Sequence, residues 1–567
     1  MSDPTAVKRP SHDVVASEVP LSKSEGVSIE EKPASPDSAS SNLDSGLKPV
    51  PLSFKIASIL LVSMIGFGGN WSSGITGAMK TKLKKGLKIN NTEYALLDAS
   101  EDFMKTALVL ASGIVTDRIG GAQAILYGNV IYTIGSILAA AATTVRSYQF
   151  LILGQVVLAL GDIATQVAQY KIFSSWFPPG HGFASTLALE LAIGKIGSFV
   201  GKSTSNIIAE NLGDFSWVYW IAVAMNAFTN CITLFFYFFT KYCENRFQGM
   251  ADPATGEILT EKNKKFELKR IAELPWIFWF VMLFSLVETS GVSVFSANAT
   301  EMAELRFNVD SITAGWYTSV LQYAGFFLVP LIGIFIDLYG NRLTLMVFTG
   351  VLLMAAMCLV NWSVTSQGTA AAFGLYAVAY CFGPTLIIDS IRTSIWSQSV
   401  FGSAYGLKVT MNNAQNIIIR VLTGVLQDSS PKSNPYKKVT PVYLFLAICS
   451  FVVAVALAGV WIVAKVGKKS FYVDVARLQW TRKERTANGE RMVVRRREVG
   501  FDSEEERLAR GETEAGVEGG EVEVSERVKK ERLRMKMISR GACGVLALWV
   551  LGAWAAYFWG VATGNND

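Results

Sequence analysis

The chain has 567 residues, of which 51% are hydrophobic and 17% charged, with a formal net charge of +6 and a mean hydropathy of +0.33. Soluble domains carry about 25% charged residues; here the charge is gathered in two tails and one central loop, which excludes a water-soluble fold. The basic residues flank apolar runs and so imply no nucleic acid, and the cysteines (Cys231, Cys243, Cys358, Cys381, Cys449, Cys543) lack metal-ligand spacing, so neither a disulfide framework nor a zinc site is expected.

Residues 1–50 are rich in Ser, Pro, Asp, Glu and Lys, cannot bury a core, and are expected to be a disordered tail without a cleavable signal peptide. Twelve apolar runs follow, at 54–76, 94–116, 122–144, 147–170, 184–208, 217–240, 275–298, 312–336, 343–363, 370–396, 402–427 and 441–466. Each is near the length of about 20 residues that crosses a hydrocarbon core. The expected fold is an all-α polytopic membrane protein with two six-helix bundles, 51–240 and 275–466, joined by a charged loop at 241–274. A charged tail, 467–540, precedes a last apolar run at 541–561, which reads either as a thirteenth span or as an interfacial helix.

Two loops repeat one pattern. Gly113-Ile-Val-Thr-Asp117-Arg118-Ile-Gly120 and Gly333-Ile-Phe-Ile-Asp337-Leu-Tyr-Gly340-Asn-Arg342 share Gly, Asp and Gly at a constant offset of 220 (333 − 113, 337 − 117, 340 − 120). A registered pair between apolar runs indicates a duplicated helical unit. The glycines let helices approach closely, and Asp can cap a helix start or pair with Arg, so the loops read as a latch, with a plain turn as the alternative. Basic loops place the central loop, both Asp loops and the amino terminus in the cytosol. Lys80, Lys82, Lys84, Lys85 and Lys88 fall on the other side and are outvoted. Sequons at Asn90, Asn298 and Asn361 fall outside or at the outer ends of runs, as glycosylation requires.

Twelve runs split six and six, with Gly113, Asp117, Arg118 and Gly120 between the second and third, resemble the major facilitator superfamily. A narrower resemblance runs through Asn90-Asn-Thr-Glu-Tyr-Ala-Leu-Leu97, Val167-Ala-Gln169, Ser175-Trp-Phe177, Lys195-Ile-Gly-Ser198 and Gly402-Ser-Ala-Tyr-Gly406 with Asn413. These look like the lysosomal dipeptide transporter branch of that superfamily. The resemblance implies uniport of dipeptides, notably cationic ones, from the lysosome to the cytosol. It also implies that Lys195 stands where the branch has an Arg for the substrate carboxylate, a point charge replacing a bidentate fork. Asp162, after Gly161, sits one residue earlier than the acid of that branch.

Ionisable groups within the runs mark cavities or partners, because hydrocarbon penalises charge. Lys195, Lys202 and Asn206 share one face of the fifth run, with Gly194, Gly197 and Gly201 offering a smooth surface for packing across the halves. Asp98, Glu101, Asp102 and Lys105 share one face of the second, where they could bind an amine, carry a proton or pair among themselves. In the second half, Glu288 reads as a cavity acid, Lys408 and Asn412 as further site residues, and Arg420 as a residue that snorkels or braces its helix. His12 and His181 lie outside the runs, so any proton relay would use carboxylates. No nucleotide loop, nucleophile elbow or metal cluster is visible, so no enzyme activity, cofactor or metal is expected.

The pooled acids and bases suit a zwitterion held at both ends. The expected function is rocker-switch transport of small zwitterionic or cationic solutes, dipeptides first and amino acids next, across a vacuolar or lysosomal membrane. Partners are the substrate and the lipid bilayer, with a glycosylated accessory membrane protein left open. A proton-coupled organic-anion or nutrient permease at the plasma membrane is the first rival, and a transport-dead receptor or scaffold using the charged tail is the second.

Overall fold

Helix starts are written into the sequence as capping side chains. Asn90 and Glu93 form a capping box, Glu93 N donating to Asn90 Oδ1 at 2.7 Å and Asn90 N to Glu93 Oε2 at 2.9 Å. Ser147, Asp310 and Thr365 likewise accept backbone N–H groups at the starts of later helices. The computed structural model describes residues 51–247, 250–251, 258–259, 272–396, 400–467, 472–499 and 526–564. The expected disordered tail and most of the charged loop 241–274 lie outside the described residues.

The helices are α1 (Leu52–Ile65), α2 (Phe67–Ala78), α3 (Lys80–Leu87), α4 (Asn91–Ile119), α5 (Gly121–Val145), α6 (Tyr148–Trp176), α7 (Phe183–Asn211) and α8 (Ser216–Arg246) in the first half. The second half has α9 (Trp276–Phe307), α10 (Ser311–Tyr339), α11 (Arg342–Trp362), α12 (Ser366–Ser394), α13 (Phe401–Asp428) and α14 (Thr440–Val466). A two-residue strand pair, Met250–Ala251 with Ile258–Leu259, lies between them. Every apolar run of the sequence is a helix, the first broken at Gly66 into α1 and α2. The structure is a polytopic bundle of two six-helix halves.

Among the described residues, eleven helices are long and apolar enough to cross a membrane. The runs of α4 and α13 are absent from that set because the charges of α4, and in α13 Lys408 and Arg420 together with Asn412, Asn413, Gln415 and Asn416, lower their hydropathy. Their polarity has a structural outlet, since α4 packs lengthwise on α13 and the charges meet in the seam between the halves. A second seam joins α7 to α10. The end holding the 113–120 and 333–342 loops is called here the motif end, and the opposite one the far end.

The tail does not stay a featureless charged strand. Residues 472–499 form α15 (Tyr472–Ala476), α16 (Arg482–Ala487) and α17 (Gly489–Val499), and α18 runs from Glu526 to Gly564. Arg495 joins them, bonding Asp474 at 3.1 Å and Glu531 at 2.7 Å. Of the two readings of 541–561, the structure gives a helix long and apolar enough to span, packed on α4 and α13. Phe103 lies 4.9 Å from the Tyr557 ring and 5.3 Å from that of Trp554, and Trp549 Nε1 donates to Gln415 Oε1 at 3.1 Å.

Candidate functional site

Small residues let the halves come together, though from a different helix than expected. Gly194, Gly197 and Gly201 of α7 face Asn70, Phe67 and Trp71 of α2, within their own half. The cross-half contact uses Gly315, Gly325 and Gly333 of α10 instead, against Lys202, Lys195 and Ala188. At Gly333 a Cβ would come within 2.7 Å of the Ala184 carbonyl oxygen, so this approach needs a residue without one.

Between the seams lies a cavity of about 460 Å³. Asp98, Glu101, Asp102, Asp162, Lys195 and Lys202, all singled out from sequence, line it together. On the α4/α6 side, Lys105 bonds both Glu101 and Asp162, each at 2.5 Å. On the α4/α13 side, Arg420 reaches Asp98 Oδ2 with Nη1 at 2.6 Å and Asp102 Oδ2 with Nε at 2.8 Å. Arg420 therefore braces two helices of opposite halves, one of the two roles its sequence position allowed. The facing wall, from α7, is cationic. Lys195 Nζ sits 3.0 Å from the centroid of the Tyr380 ring, and Lys202 Nζ donates to Ser296 O at 3.3 Å. Neither lysine has an ion pair among the described residues.

Three other expected site residues stand outside these walls. Glu288 is buried in α9, where Thr289 Oγ1 donates to its Oε2 at 3.2 Å and its carboxyl lies against Gly383 of α12. Lys408 Nζ lies 5.7 Å from the Tyr405 ring centroid, and Asn412 Nδ2 donates to Ser285 Oγ at 3.0 Å. Asn412, Asn416 and Arg420 follow one another at a spacing of four along α13, yet Asn416 and Arg420 line the cavity while Asn412 lies against α9. Sequence reasoning did not assign Asn70, Tyr132, Gln322 or Tyr380 to the site, although all four line it. Single polar residues in apolar runs were the available signal, too common to act on without the fold.

Both seams are fastened at their ends by carboxylates that cap a helix of the other half. At the motif end, Asp337 accepts from Ala184 N at 3.3 Å, Ser185 N at 2.7 Å and Ser185 Oγ at 2.6 Å, at the start of α7. Arg342 pairs with the buried Asp389, while its N donates to Leu478 O of the tail at 3.0 Å. Gly340 takes φ 67, and Gly120 φ 91, a backbone that favours glycine. Gly113 faces Gly402 across the α4/α13 seam, Arg118 is exposed, and the side chain of Asp117 lies outside the described residues. At the far end, Asp428 accepts from Thr92 N at 2.8 Å, Thr92 Oγ1 at 2.6 Å and Asn91 Nδ2 at 2.7 Å.

The far end also holds the lysine cluster that the count of basic loops outvoted. Lys80 and Lys84 of α3 bond Glu301 of α9 at 2.7 and 2.5 Å, and Lys82 bonds Glu210 at 3.1 Å. These charges serve as cross-half and local ties. Burial pushes the Lys80 ammonium below the ordinary lysine range, opposed by the Glu301 carboxylate. Asn298 is buried, accepts from Lys80 Nζ at 2.7 Å and donates to Tyr443 OH at 2.9 Å. Asn90 caps α4, and Asn361, at the end of α11, accepts from Thr440 Oγ1 at 2.9 Å.

Asp337→Ala should remove a cap of about 1–2 kcal/mol and so favour opening at the motif end by roughly 5–30-fold. The labelling rate of a cysteine placed at Tyr170, behind that seam in an otherwise cysteine-free chain, measures it. An unchanged rate would show that the Asp337 contact closes nothing.

Comparisons with known proteins come to the same architecture. The sequence profile described as Major Facilitator Superfamily matches residues 57–419. The chain is 22% identical to the lysosomal dipeptide transporter MFSD1 of Mus musculus over 408 residues, covering 67% of this chain and 82% of that protein. It is 21% identical to the Homo sapiens protein of that name over 412 residues, with 67% and 82% covered. The fold is similar to that of the transporter FucP in its outward conformation, with a TM-score of 0.53 and 14% identity over 71% of this chain and 99% of the other. It is also similar to the proton:xylose symporter XylE bound to 6-bromo-6-deoxy-D-glucose, with a TM-score of 0.56 and 12% identity over 72% and 96%. At such identities the two structures speak for the fold alone. The profile covers more than half of the chain, and the helices it spans enclose a central polar cavity between two halves: the chain belongs to the Major Facilitator Superfamily and is an integral-membrane transporter.

Proposed function

We propose that the protein carries small zwitterionic or cationic solutes, dipeptides above all, from a vacuolar or lysosomal lumen to the cytosol by rocking its halves about the central cavity. The motif end would face the cytosol, together with the amino terminus. One observation carries the reading: Lys195 and Lys202, which have no ion pair among the described residues, face a carboxylate-rich wall across one cavity. A dipeptide presents a carboxylate at one end and an ammonium at the other, and this arrangement offers a partner to each. The volume of about 460 Å³ lies within the range of roughly 300–1,000 Å³ usual for small-molecule sites. The similarity to dipeptide transporters supports the substrate class and the organelle. An anion permease would call for a wall dominated by cations, whereas here Asp98, Glu101, Asp102, Asp162 and Glu190 stand beside Lys105, Lys195, Lys202 and Arg420.

The test is uptake by the purified full chain in liposomes, using alanyl-alanine, alanyl-lysine, free lysine and a dicarboxylate. Dipeptide uptake competed by alanyl-lysine is expected. Movement of the amino acid or the dicarboxylate alone would leave the family intact and overturn the substrate.

A further inference from the structure

One cavity carboxylate is left out of the ion-pair networks. Glu190 of α7 lines the cavity, is 5% exposed, and has no ion pair among the described residues. Its Oε2 has no hydrogen-bond partner.

The groups around it are already committed or neutral. From α1 and α2 come the Gly66 junction and Asn70, whose amide donates to Gly66 O at 2.9 Å. From α6, Tyr170 faces the carboxyl, Gln169 donates to Val62 O at 3.0 Å, and Asp162 is held by Lys105. From α13 comes Tyr405, its ring 4.7 Å from that of Tyr170. Tyr219 of α8 lies toward Asp98, Asp337 of α10 is taken up by the α7 start, and Tyr380 of α12 receives Lys195. On α7 itself, Lys202 turns to Ser296. Among the described residues, no cation is therefore placed to balance Glu190.

A carboxylate with one oxygen unpartnered and only the neutral Tyr170 hydroxyl beside it is disfavoured as an anion at membrane depth, yet a cavity wall gives it periodic access to water. We infer that Glu190 is a proton-binding site and that the transporter moves one proton with its solute in each cycle. The carboxylate takes a proton when the cavity opens to the more acidic compartment. It crosses the occluded state as the neutral acid and gives the proton up when the opposite opening rehydrates it; only this O–H bond forms and breaks. Glu288, whose Oε1 also lacks a partner, is buried away from the cavity walls and has no such access. The inference needs a transporter but not a particular solute, and it departs from the uniport that the resemblance implies.

Two measurements test it on the full chain in lipid. Infrared difference spectra across a pH titration should show a protonated carboxylic acid near neutral pH that disappears in Glu190→Gln. A spectrum identical in the two proteins overturns the site. In liposomes carrying an internal pH dye, alanyl-lysine and alanyl-alanine uptake should be accompanied by proton entry and accelerated by an inward proton gradient. Glu190→Gln should lose at least 10-fold of the gradient stimulation measured relative to its own uptake without a gradient, while Glu190→Asp keeps it. Dipeptide uptake without proton movement overturns the coupling and leaves the substrate reading standing. The infrared band without any dipeptide uptake does the reverse, supporting the proton site and sinking the substrate.

Discussion

Arg420→Ala is expected to destabilise the protein by about 3–5 kcal/mol and to abolish net transport. The guanidinium holds Asp98 and Asp102 at 2.6 and 2.8 Å, and all three groups are nearly buried. Removing it strands two carboxylates a turn apart, the nearby Lys80 and Lys105 being already bonded to Glu301 and to Glu101 and Asp162. Because the bonds join α4 to α13, the loss falls on the state in which the far ends of the halves meet. Three kcal/mol there corresponds to a shift of more than 100-fold in the opening equilibrium. Thermal unfolding in detergent measures the stability term. Combining Arg420→Met with Asp98→Leu and Asp102→Leu should recover most of it, since apolar groups of similar size need no partner. A single Arg420→Ala protein as stable as the parent would mean that the triad is a surface-like contact of little weight.

Lys195→Ala is expected to lower dipeptide uptake at subsaturating concentration by about 10- to 150-fold, the equivalent of a charge-assisted hydrogen bond of about 1.5–3 kcal/mol. Its melting temperature should change little, because Lys195 has no ion pair to break among the described residues and makes only packing contacts, with the Tyr380 ring and Gly325. A dipeptide amide, which lacks the carboxylate, should be carried equally by both proteins, though weakly. That comparison separates a substrate contact from a packing role. If every candidate peptide moved as fast in Lys195→Ala as in the parent, the assignment of Lys195 to the carboxylate would fail.

Legibility in the sequence followed the range of each interaction. The apolar runs and the registered Gly-Asp-Gly loops depend on local composition, and each run is a helix in the structure. The shared faces of Asp98, Glu101, Asp102 and Lys105, and of Lys195 and Lys202, follow from helical period alone. What each charge bonds does not. Lys105 could have paired within α4 only, but it also takes Asp162 from α6. Arg420 could have snorkelled, but α4 brings two acids to it. The lysines of α3 looked like a topology signal because sequence offers no view of Glu301, more than 200 residues away.

By itself, the sequence determined that this chain is a duplicated bundle of membrane-spanning helices with charges inside. Hydrophobic length and helical period act within one element and need no partner. Only the tertiary structure decided which of those charges form the cavity. It took Glu288, Lys408 and Asn412 out of its walls, brought Glu190 and Tyr380 into them, and set α18 against the α4/α13 seam. Such outcomes depend on the rotation and pairing of whole helices. Close packing at glycines such as Gly333, together with the caps at Asp337 and Asp428, sets that pairing between residues remote in the chain.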